Sequence, residues 1–128
     1  MAKISFKQNP TFKVNVMIPR LGAAAISVPF VFNYFDRDQL ADYNDAEIEY
    51  NKQIKEMIES DDSPSVKDFS AKAEEFQIEQ ITKVVAGWNF TEELNDDNIR
   101  AMVRSAAAVP LAILEAFKAS YAKAREGN

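Results

Sequence analysis

Apolar and polar positions alternate over the first quarter of the chain. In TFKVNVMI, residues 11–18, Phe12, Val14, Val16 and Ile18 fall on one side of an extended backbone and Lys13 and Asn15 on the other, the pattern of a half-buried strand. AISVPFVFNYF, residues 25–35, repeats the pattern with Ile26, Val28, Phe30, Phe32 and Tyr34 on one face. Pro19 and Gly22 supply turn chemistry between the two runs, which predicts a β-hairpin. Pro29 has no N–H to give a ladder, so it belongs at an edge or a bulge. Ile4 and Phe6, two apart, offer a short third strand. Met17, Val31 and Phe35 fall on the face opposite the packed one. A small sheet with apolar groups on both faces needs cover on both, and in so short a chain the second cover is expected from another subunit.

At Asp36 the period changes from two to about 3.6. Asp36 caps and Asp38 opens a helix running to about Ser60, with Leu40, Tyr43, Tyr50, Ile54, Met57 and Ile58 as a stripe broken by Glu47. Asp61–Pro64 stops it, and Pro64 or Ser65 opens the next. There, Phe69, Ala73 and Phe76 share one helical phase and Ile78, Ile81, Val85 and Trp88 another. This predicts either a break near Glu75 or a second face that meets another molecule, with Gly87 as C-cap. Glu92, Glu93, Asp96 and Asp97 lead into a short amphipathic helix with Ile99, Met102, Val103 and Ala106. Pro110 opens a last helix with the stripe Leu111, Leu114, Phe117 and Tyr121. The fold class is therefore α+β: an N-terminal hairpin or small antiparallel sheet (1–35), four to five helices (36–125) and a short tail (126–128), in one domain of 128 residues.

Composition narrows the chemistry. With no Cys and no His, the chain lacks disulfides, thiolate nucleophiles, Cys- or His-based metal sites and the commonest general base. Its three glycines build no phosphate-cradling loop. The adjacent acids Asp61/Asp62, Glu74/Glu75, Glu92/Glu93 and Asp96/Asp97 mostly precede or open helices, where carboxylates stabilise the backbone, and neither Asp36/Asp38 nor Asn95–Asp97 has calcium-loop spacing. No enzyme, cofactor or metal is expected. Without an 18-residue apolar run or an apolar core in MAKISFKQNP, no membrane span or secretion signal is expected either, which predicts a cytoplasmic protein.

The net charge of -5 is unevenly spread. Residues 1–35 carry four bases and no acid, residues 36–98 carry 18 acids against six bases, and residues 99–125 carry five bases and one acid. The acidic balance disfavours nucleic-acid binding. The opposed blocks favour self-association, as do the spare apolar faces. Trp88, the sole tryptophan, is either a core residue or a binding anchor. The candidate partner-binding residues are Met17, Val31, Phe35 and Trp88.

Three passages resemble the tail assembly chaperones of long-tailed bacteriophages: FVFNYFDRDQLADY (30–43), an aromatic strand running into a charged helix start; ITKVVAGWNFTEELNDDNIRAMV (81–103), an apolar helix ending in Gly-Trp, then an acidic connector and a further helix; and AAAVPLAILEAF (106–117), a small-residue turn and last helix. The resemblance implies a non-enzymatic phage protein that works in the host bacterial cytoplasm during tail morphogenesis. It would associate with the tape measure protein and tail tube subunits and be absent from the finished particle. It also implies a longer product made by backward ribosomal slippage, and Glu126–Asn128 can be encoded GAG GGA AAY, which contains a slippery heptamer. A small acidic adaptor that inhibits a host protein is the competing class.

Overall fold

The structure, a computed structural model, describes residues 2–126. Gly127 and Asn128, and with them most of the expected tail, lie outside the described residues. Strands β1 (Thr11–Arg20) and β2 (Ala23–Asn33) form the expected hairpin, with Gly22 at φ 77° in its turn. Four helices follow, α1 (Arg37–Glu59), α2 (Val66–Val84), α3 (Asp96–Ser105) and α4 (Ala108–Glu126), interrupted by a four-residue strand β3 (Val85–Trp88). The antiparallel sheet has the order β1-β2-β3.

The helix starts follow from side-chain caps. Asp36 and Gln39 form a reciprocal capping box with both bonds at 2.9 Å, Ser65 and Asp68 form a second, and Asn95 accepts from the Asn98 N–H at 2.8 Å.

Phe12, Val14, Val16 and Ile18 of β1 and Val28, Phe30 and Phe32 of β2 line the inner face, under α4 and the end of α2. Phe117 of α4 is the hub. Its ring centroid lies 5.2 Å from Phe35, 5.4 Å from Tyr43, 5.5 Å from Phe32 and 6.3 Å from Phe12. Tyr121, one turn on, accepts the Phe35 N–H on its hydroxyl at 2.8 Å.

Several expectations are corrected. The third strand is Val85–Trp88 rather than Ile4 and Phe6, which lie exposed outside any strand. Gly87 accordingly sits inside a strand, and α2 ends at Val84. A bulge at Ala86 explains the error: Val85 pairs with Phe32 and Trp88 with Phe30, so two residues three apart share a face as they would on a helix. Helix α2 has no break near Glu75. Phe76 stacks on Tyr50 of α1 at 4.2 Å while Ile81 and Val84 enter the core, so its two phases meet two layers of the same chain. Pro29 stands on the central strand, but where β3 has run out. Only its carbonyl is used, by the Asn89 N–H. Helix α4 starts two residues before Pro110 and buries Val109, Pro110, Ile113, Leu114 and Phe117, leaving Leu111 exposed.

Candidate interaction surface

Pairing fixes the outer face of the sheet. Met17 stands opposite Ser27, Asn15 opposite Pro29 and Lys13 opposite Val31, so Met17, Pro29 and Val31 run diagonally across one surface. Met17 is 58% exposed. Val31 is half-buried and packs opposite Gly87 of β3, where an added Cβ would lie 3.5 Å from its own. From Arg20 to Ser27 every residue is exposed. The hairpin therefore projects past the sheet as a two-stranded ribbon, with Leu21 fully exposed at its turn and Ile26 beside it.

Of the four candidate residues, the structure brings together Met17 and Val31 only. Phe35 lies beyond the end of β2, where alternation no longer decides direction, and is buried against Phe117 and Tyr43. It is a core residue, off the outer face. Trp88 sits half-buried on the inner face, edge-on to Phe30 and Phe90, and its indole N–H donates to the Glu92 carbonyl at 2.8 Å. It lines an open cleft of about 380 Å³ with Ile18, Phe90, Met102 and Val109. Sequence reading passed over the exposed Leu21 at the ribbon turn, Ile48 on α1 and Val66 at the start of α2, and it counted the exposed Ile58 in the apolar stripe of α1. Chain position alone could have flagged Leu21, since a hydrophobe in a tight turn has no core to face.

The electrostatics of the opposite side differ. Helices α1 and α2 carry most of the acids and flank a half-open cleft of about 290 Å³ lined by Glu49, Tyr50, Glu75, Phe76 and Gln80 among others. Gln80 is buried. Its amide donates weakly to the Tyr43 carbonyl at 3.5 Å and its Oε1 has no partner among the described residues. Burial, reinforced by the charge of Glu47, pushes the Tyr43 hydroxyl up to about 12. Lys118 of α4 reaches Glu47 at 3.0 Å. Among the described residues no three acids converge to hold a metal ion, and no helix is long and apolar enough to cross a membrane.

A three-stranded sheet backed by helices, with apolar side chains left on its outer face and on a projecting ribbon, has the surface of a protein that binds other proteins. The chain belongs to the phage tail assembly chaperone family, whose model matches residues 1–128. No curated protein and no solved structure matches it.

Proposed function

We propose that this chaperone is non-enzymatic, associates with the tape measure protein and tail tube subunits during tail morphogenesis in the host cytoplasm, self-associates, and is left out of the finished particle. The observation that carries the reading is the apolar diagonal of Met17, Pro29 and Val31 beside the exposed ribbon turn, on a member of this family. A long amphipathic client offers such a surface a continuous apolar stripe, and burying apolar area rather than pairing charges would hold it.

Co-expression of the tagged chain with the tape measure and tail tube proteins of the same phage tests this. Val31→Glu and Met17→Glu should each lower capture about tenfold or more while the melting temperature stays near that of the parent. Phe35→Glu, by contrast, should unfold the chain. Capture unchanged in both outer-face variants would remove the surface from the reading, and retention of a folded host enzyme in place of tail proteins would favour the adaptor class. The longer product is read from the gene: any codon other than GAG at Glu126 or GGA at Gly127 rules out the heptamer.

A further inference from the structure

The geometry points to exchange of the N-terminal arm between copies of this chain: residues 3–7 of one copy add as an antiparallel strand to the free edge of β1 in another. The arm has the period of a strand and no strand to join. Ile4 is 96% exposed and Phe6 89% exposed, with Lys3, Ser5 and Lys7 alternating between them. Strand β1 is the matching vacancy in the sheet. Its even-numbered residues pair toward β2, a phase fixed by the Tyr34 N–H bond to the Pro10 carbonyl, so the backbone groups of Thr11, Lys13, Asn15 and Met17 face the open edge. Beneath that edge the inner layer is thinnest where β1 begins. Phe12 and Val14 are half-buried there, whereas Val16 and Ile18 further along are buried.

One register satisfies every position. With Ser5 opposite Lys13, Lys7 faces Thr11 and Lys3 faces Asn15. None of those three pairs contains proline, so each can exchange two ladder bonds, provided the Lys7 N–H leaves its exposed 3.1 Å bond to the Ser5 hydroxyl. Phe6 then lies over Phe12 and Ile4 over Val14, an aromatic pair and a β-branched pair on the face that needs cover. No lysine stands directly opposite another.

Pro10 keeps the arm from closing on its own β1. A two-residue return through Gln8 and Asn9 needs an N–H at Pro10 to close it. A three-residue return through Gln8, Asn9 and Pro10 needs a left-handed backbone at Pro10, which its ring forbids. A second copy faces neither obstacle. This inference rests on the self-association proposed above and supplies its chemistry, and the two can fail separately.

Full-length chains carrying single cysteines test it, since the parent has none. Ser5→Cys mixed with Lys13→Cys should give a disulfide-linked dimer under mild oxidation, because the Cα atoms of such a pair lie about 5.5 Å apart, within disulfide reach. Neither variant alone, nor Lys3→Cys mixed with Lys13→Cys, should cross-link comparably. Ile4→Ser/Phe6→Ser should raise the concentration for half-association about a hundredfold, at unchanged melting of the monomer. Absent or register-blind cross-linking, with oligomers that persist in the double variant, overturns arm exchange and leaves self-association standing. A parent chain that stays monomeric by light scattering overturns both. Protection of the arm from proteolysis only on addition of the tape measure protein would assign it to the client and overturn exchange.

Discussion

Helices α1 and α4 make an instructive pair. Helix α4, 19 residues long, buries five side chains and supplies the ring on which the aromatic core converges. Helix α1, 23 residues long, buries Tyr43 alone. Its other attachments include the partly buried Leu40, the half-buried Ile54 and Met57, the Tyr50–Phe76 stack and the exposed Lys118–Glu47 pair, and the seam with α2 contains the unpartnered Gln80 oxygen. Length is thus a poor guide to what a helix contributes: the sheet with α4 holds the fold together, and the distal part of α1 and α2 is held on locally.

Phe117→Ala should show the largest effect, about 3–5 kcal/mol of lost stability in denaturant titration, because it empties the site where α1, α4 and both long strands meet. A loss under about 1 kcal/mol would break the comparison at its stronger end. Alkaline pH should act next, and through the one place where α1 is well buried. The Tyr43 hydroxyl is raised from 10.0 to about 12, so the folded state favours the protonated form. That stability is fully present below pH 10 and is lost as pH rises from 10 to 12. Melting followed across this window should fall more steeply for the parent than for Tyr43→Phe; equal slopes would place the titration elsewhere. The smallest effect is expected from Tyr50→Ala, about 1 kcal/mol, confined to the helical hairpin. Amide exchange should quicken in residues 46–60 and 66–76 while β1, β2 and α4 keep their protection. Uniform quickening would mean that the two regions unfold as one.

The hairpin and all four helices were legible because their signals are local: alternation in 11–18 and 25–33, starts at Asp36 and Ser65, the acids leading into α3, Pro110 near the start of α4, and the stop at Asp61–Pro64. Strand β3 was not, since four residues joined directly to a helix carry no period, and its bulge imitates helical spacing. The two phases of α2 were visible, but the sequence does not say that α1 folds back to cover one of them. Met17 and Val31 were placed correctly on the outer face by alternation. Phe35 was misplaced because the strand ends at Asn33, two residues before it, where alternation no longer fixes which way a side chain points. Exposure of the arm and the ribbon turn depends on what fails to pack against them, and no local pattern encodes that.

The contact between Phe32 and Phe117 also sets a schedule. Phe117 stands 85 residues after Phe32, and at ordinary translation speeds that interval lasts about 4–17 s. For that time the hairpin exists with Phe12, Phe30 and Phe32 awaiting α4, an apolar strip exposed in a cell crowded with other nascent chains. A protein whose family guards others during assembly must therefore itself pass through a stage in which its own aromatic face is unguarded, and slowing the synthesis of α4 would lengthen it.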